Sequence, residues 1–229
     1  MRYSILSITI LVMICLTAYK SPVKNETVTG KIYFSNQPFL KSNTGSRKNF
    51  TSADYIYGRI ELDSQTINHA FRVFEPNSNY PYAYFLYRVY VFYKGQEMGF
   101  NSSRNLCLLR EIEKNNKWFN FDVLPDPARA STVISGTQRF EYYSIGTVPL
   151  YGLINPDNFK ENGEYRIVVK FYTESYDGWG NMEPVEKWPV LEEEFAFMFN
   201  AKDVPLLKRN EEASNNFIEK NAFSKNKMP

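Results

Sequence analysis

The densest concentration of ligand-binding residue types in the chain is "YDGWGN", residues 176–181. Tyr176 and Trp179 can present flat apolar faces to a sugar or peptide, and Asp177 and Asn181 supply the polar groups that orient a ligand. Trp188, a few residues on, would extend such a platform or close the end of a core. Asp177 and Asn181 alone cannot fill the six to eight oxygen positions that calcium takes. The same composition also makes an ordinary turn, in which glycines accept positive φ and a tryptophan folds back over the core. The turn is the expected reading, with the binding platform as its alternative.

Other reactive residue types are sparse. The chain has a single histidine, His69, in "QTINHAFRV", and an isolated histidine reads as a structural or surface residue rather than a general base. Without a second histidine, Cys107 cannot complete a zinc site of the usual kind. No HExxH, GxSxG or P-loop pattern occurs, so no metal, nucleotide or other cofactor is expected. Glu192, Glu193 and Glu194 are contiguous on a strand-like segment, so only Glu192 and Glu194 project together. They read as a solvated outer face on an edge strand. A glycosidase carboxylate pair, which needs two acids about 5–9.5 Å apart across a cleft, is the alternative. In "FDVLPDPARAS" (121–131), Asp122, Asp126 and Arg129 allow an Asp–Arg bridge that fixes the loop, with a ligand clamp as the less expected use.

The N-terminus constrains where these residues act. "MRYSILSITILVMICLTA" carries one basic residue and then an uncharged, largely apolar run, the layout of a secretory signal over residues 1–18. The run falls short of the roughly 20 apolar residues of a membrane span. Cys15 sits where a lipoprotein's acylated cysteine would sit, but Ile14 stands before it, where a small residue is preferred. Cleavage near Ala18 is therefore expected, with lipidation at Cys15 or a retained short anchor as alternatives. Either processing leaves Cys107 alone, so an exported form has no intramolecular disulfide and depends on its core. Lys and Arg number 27 against 25 Asp and Glu, with no basic, aromatic-laced stretch, which argues against a nucleic-acid partner.

The elements that must position these residues are strands. "YIYGRIEL" (55–62) alternates Ile56, Gly58, Ile60 and Leu62 against Tyr55, Tyr57, Arg59 and Glu61. Gly58 on the apolar side signals a bulge or a close neighbour. "YAYFLYRVYVFY" (82–93) is apolar or aromatic on both faces, as in a central strand, and Lys94-Gly95 forms a turn to a returning strand. "LCLLREI" (106–112) is ambiguous between helix and strand. "KWFNFDV" (117–123), "QRFEYYSI" (138–145), "EYRIVVKFYT" (164–173) and "VLEEEFAFMFN" (190–200) alternate, and after residue 200 the period changes to that of a helix carrying Ala213, Phe217 and Ile218.

Eight or so short strands separated by turn residues, with one terminal helix, predict an all-β antiparallel sandwich over residues 27–205, followed by a helix and tail at 206–229. In "FKENGEY" (159–165), an apolar residue precedes by six positions a tyrosine that opens an alternating strand. The segment resembles the tyrosine corner of immunoglobulin-like and fibronectin type III sandwiches, which implies that the Tyr165 hydroxyl bonds back to upstream backbone. The Cys and Trp signature of true immunoglobulin domains is missing, which leaves a jelly roll as the other topology. The chain also resembles exported proteins of AT-rich Gram-negative bacteria. Signal, strand pattern and poverty of catalytic types together lead to the expectation of an exported, non-enzymatic binding or assembly module at the bacterial envelope. Its partner would be an envelope protein or a glycan, and membrane contact would come only through the signal or a lipid anchor.

Overall fold

The structure, a computed structural model, describes residues 28–39, 45–71, 83–101, 105–109, 114–129, 158–174 and 184–222. These form two packed β-sheets followed by a C-terminal helix. The smaller sheet is antiparallel and runs β1 (Gly30–Ser35), β3 (Ile56–Leu62), β7 (Trp118–Leu124). The larger runs β2 (Asn49–Thr51), β9 (Pro184–Phe199), β8 (Gly163–Glu174), β4 (Ala83–Tyr93). The far edge of β4 is shared, with β6 (Asn105–Leu109) against its first half and β5 (Gln96–Asn101) against its second. The ambiguous "LCLLREI" thus contributes a strand. The doubly apolar β4 lies inside its sheet, flanked by β8 on one side and by β5 and β6 on the other.

One pairing departs from the expected antiparallel pattern. β2 lies parallel to β9, with Phe50 opposite Phe197, and its flanks add two bonds: Ala196 N–H donates to the Lys48 carbonyl and Ser52 N–H to the Met198 carbonyl. Three residues are too few for alternation to register in the sequence. The anchor is Phe50, buried edge-on against Phe195 at 5.3 Å. Asn49–Thr51 thus forms the edge strand of the larger sheet beside β9.

The core is an aromatic seam between the inner faces. Phe34 meets Phe195 at 4.8 Å, Phe121 meets Phe171 at 5.0 Å, and Phe85 meets Phe119 at 5.5 Å. Gly58, directly opposite both Phe34 and Phe121 in the smaller sheet, makes the seam fit: a Cβ there would run into the Phe121 ring. The close neighbour that the inward glycine signalled is this ring. The β4–β5 connection is the two-residue turn Lys94–Gly95, with φ of 49° and 81°. Positive φ at both positions is the requirement of a type I′ hairpin, whose twist matches that of its strands.

Two short elements were not distinguished in the sequence. His69 lies in helix α1 (Ile67–Phe71), whose buried residues are Ile67, Ala70 and Phe71. Beyond β9, a 3₁₀ turn at Ala201–Asp203 is capped by the Asn200 side chain, which accepts from Lys202 N–H at 3.1 Å, and leads into α2 (Val204–Ala222). The helix starts two residues before the expected boundary, because Pro205 is tolerated in a first turn. Its buried residues include Leu207 and Asn210. Ser52 of the β2 segment donates to Asp203 at 2.5 Å, and Asn162 accepts from Ala201 N–H at 2.7 Å, so three chain segments meet where the helix leaves the sheet.

Candidate functional site

The long strands β8 and β9 carry most of the chemistry that the described residues offer. Their inward residues, Ile167, Val169, Phe171, Phe195 and Phe197, are buried in the seam. The residues between them form an outward ladder whose rows follow from the register. Phe92 of β4 pairs with Arg166 and then Ala196, Tyr90 with Val168 and then Glu194, and Arg88 with Lys170 and then Glu192. Lys170 Nζ lies 2.9 Å from Glu192 Oε2 across its own row. Arg166 Nη1 donates to Glu194 Oε2 at 2.7 Å on the diagonal. The two cations also cover the aromatic column of β4, Arg166 at 4.0 Å over the Phe92 ring and Lys170 at 5.4 Å over Tyr90, positions in which the ring's negative face attracts the charge. Tyr90 and Tyr172 hydroxyls meet at 3.1 Å.

Glu192 and Glu194 project together, as their spacing requires, and each is held by a cation of the neighbouring strand. The flat arrangement suits surface recognition: charges and rings stand in columns at strand spacing, with the charged side chains partly exposed and Val168 and Tyr172 buried beneath them. Glu193 points the other way, where Lys48 of the β2 segment engages it at 3.1 Å. None of these residues except the glutamates stood out in the sequence. The readable signal was the alternation of Arg166, Val168 and Lys170 beside Glu192 and Glu194, which needed the strand register to become a ladder.

At one end of this face lies a shallow depression of about 390 Å³, lined by Phe92, Tyr93, Lys94, Gly95, Gly163, Glu164 and Arg166. Beside it the hairpin turn is tied to the approach to β8. Glu161 accepts from the Tyr93 hydroxyl at 2.9 Å and from Lys94 Nζ at 3.0 Å. Hydrogen bonding to Lys94, and next to Tyr93, holds the Glu161 carboxyl below its ordinary 4.5, and the bond to Glu161 raises the Lys94 ammonium above 10.5. Tyr165 anchors the corner. Its hydroxyl donates to the Glu161 carbonyl at 2.9 Å, the backward bond that the segment's spacing implies, while Tyr93 stacks on its ring at 4.5 Å and Phe159 packs at 4.6 Å. Burial pushes the Tyr165 phenol upward. Gly163 takes φ of 151° where the Tyr93 ring leaves a side chain little room.

The remaining sequence candidates fall elsewhere. Tyr176, Asp177, Trp179 and Asn181 lie outside the described residues, as does Cys15. Trp188 belongs to β9, but its side chain is likewise not described. The strands that deliver the 176–181 loop are described up to Glu174 opposite Pro184, with register shifts on both sides of Tyr172. Asp126 is a local cap: its Oδ1 accepts from Ala128 N–H at 2.9 Å, and its own N–H donates to the Tyr57 hydroxyl at 3.0 Å. Arg129 closes the short 3₁₀ turn Pro127–Arg129, its side chain outside the description. Asp122 is wholly buried on β7. His69 is exposed.

Comparison of the chain with protein-family models and with curated proteins finds no match in either. Among the described residues, no three His, Cys, Asp or Glu side chains gather as a metal site requires, and no helix is long and apolar enough to cross a membrane.

Proposed function

We propose that the chain is an exported, non-enzymatic sandwich of immunoglobulin-like topology that serves as a binding or assembly module at the bacterial cell envelope. The observation that carries the reading is the outer ladder of the larger sheet, a broad exposed face of columned charges and rings whose acids are engaged by cations rather than aimed into a cleft. Such a face recognises a surface by complementary charge and flat apolar contact. Export rests on the signal-like residues 1–18, followed by a sandwich unit over 27–205.

The immunoglobulin-like assignment draws on chain order. The smaller sheet takes the first, third and seventh strands and the larger takes β4, β8 and β9, an arrangement similar to the ABE and CFG sheets of that fold. Tyr165 then stands near the start of the strand corresponding to F, where a tyrosine corner belongs.

The test is photo-crosslinking in the producing cell, with the crosslinker in place of Met198, which is 45% exposed at the end of the ladder. A discrete crosslinked envelope species, lost when Arg166 and Lys170 are both changed to Glu, is expected. A chain that crosslinks to nothing in the envelope would sink the proposal.

A glycan-binding module built on Tyr176–Asn181 and Trp188 is the second reading. The irregular pairing around Tyr172 favours it, since bulges gather beside sites. Loss of glycan-array binding in Trp179→Ala with an unchanged melting temperature supports it, and a collapsed melting temperature assigns Trp179 to the core.

A further inference from the structure

We infer that the ladder face binds a second copy of the same chain through a two-fold interface. The inference rests on the binding-module reading and names its partner.

The argument is one of charge geometry. On the outer face, β8 presents the cations Arg166 and Lys170, with the buried Val168 between them and Glu164 beyond, and its neighbour β9 presents a column of acids, Glu192 and Glu194. A two-fold axis parallel to the strands and running between β8 and β9 brings two such faces together so that each β8 column lies over the partner's β9 column. The row that holds Lys170 and Glu192 within one copy then sets each against its opposite across the interface. The diagonal reach of Arg166 to Glu194 is available between copies in the same way. An isologous interface must be self-complementary, and two adjacent columns of opposite sign are the simplest surface that meets this condition.

The composition of the face fits the same partner. Arg88, Arg166 and Lys170 stand among Glu97, Glu164, Glu192 and Glu194, so the face is of mixed sign and two copies meet with little net repulsion. A partner of one strong sign would gain at one column what it lost at the other. The pairs are close to half exposed, with Arg166 and Glu194 side chains at 46% and 50%. They remain open to a second partner, whose opposite charges must offset the hydration lost on covering them. Met198, the exposed large apolar side chain among the described residues, and Ala196 continue the β9 column and provide apolar area beside the charges.

Charge reversal tests this directly. Replacing Glu192 and Glu194 with Lys makes the four paired positions of the two columns positive, and replacing Arg166 and Lys170 with Glu makes all four negative. By sedimentation equilibrium at low salt, the wild-type chain is expected as a dimer that weakens as salt screens the pairs. Each reversed variant is expected to be a monomer alone, and a one-to-one mixture to form a heterodimer. The double swap Lys170→Glu with Glu192→Lys keeps every column pairing complementary and should remain dimeric, which separates interface loss from misfolding. A wild-type chain that stays monomeric at low salt overturns the inference, as does a mixture of the two folded variants that fails to associate. In the first case the module reading is judged separately, by whether crosslinking at position 198 captures a different envelope protein.

Discussion

The two sheets carry the same alternating pattern, yet their outer faces meet different fates. On the smaller sheet several of the residues that point away from the seam are themselves buried: Tyr57 is 2% exposed, Arg59 7% and Asp122 0%. The segment after β1 folds over them. The Phe39 carbonyl accepts from Asn120 Nδ2 at 3.3 Å, and the Arg59 guanidinium sits 4.8 Å from the Trp118 ring while Nε faces Glu61 at 2.8 Å. On the larger sheet, the equivalent positions hold Arg166, Lys170, Glu192 and Glu194 in half-exposed pairs. Part of one face is thus a polar layer of the interior, while the other presents half-exposed charge pairs around a buried Val168.

Because a charge withdrawn from water depends on its partners far more than one at the surface does, truncation should separate the faces sharply. Arg59→Ala is expected to have the largest effect, about 3 kcal/mol of lost stability, since it leaves Glu61 without its cation and empties the space over Trp118. Urea unfolding measures it. A loss below that of a surface pair would mean that the covering segment does not stay in place. On the opposite side of the same strand, Gly58→Ala should cost about 1–3 kcal/mol through overpacking against Phe121. If Phe121→Leu in the same chain relieves most of that cost, the collision with the ring is its source.

The exposed face should barely register in the same assay. Lys170→Ala, which breaks the pair with Glu192, is expected to change stability by no more than about 1 kcal/mol. A larger effect, measured by the same unfolding curves at a concentration where the chain is monomeric, would show that this pair is structural and would erase the contrast between the faces.

How much of this could be read in the sequence depends on the range of the signal. Strands whose pattern repeats within seven residues or more were legible: β3, β7 and β8 have the inward residues that alternation assigns, and the Lys94–Gly95 hairpin followed from local turn chemistry. The Tyr165 corner was legible because its bond spans four residues. β2 was not, since a three-residue parallel strand is specified by Phe50 finding Phe195 far along the chain. The distinction between the covered and the open face was not legible either. Arg59 and Arg166 sit in similar alternating strings, and only the path of the segment after β1 decides which one leaves water. For the candidate site, sequence placed Glu192 and Glu194 together, but their cations lie about two dozen residues away and appear only through register.

The smallest effect belongs to the tie between the β4–β5 turn and the approach to β8, which bounds the open face at one end. Glu161 is held below its ordinary 4.5 by Lys94 and Tyr93. A depressed carboxylate contributes stability that is present above its unfolded value and is lost as pH falls through its folded one. Lys94 is raised above 10.5 by Glu161, so its contribution is full below that value and fades as pH rises past it. The tie should therefore be intact across the neutral range and fail at both extremes. Glu161→Gln should flatten the acid limb of the melting temperature below pH 4.5 slightly and leave neutral stability almost unchanged, because both side chains are exposed and water screens them. Tyr165→Phe provides the contrast: its bond to the Glu161 carbonyl is made by a neutral hydroxyl, so its cost should appear at neutral pH and persist across the acid limb. If the two variants share one pH profile, charge does not hold this end of the face, and the corner alone fixes the turn.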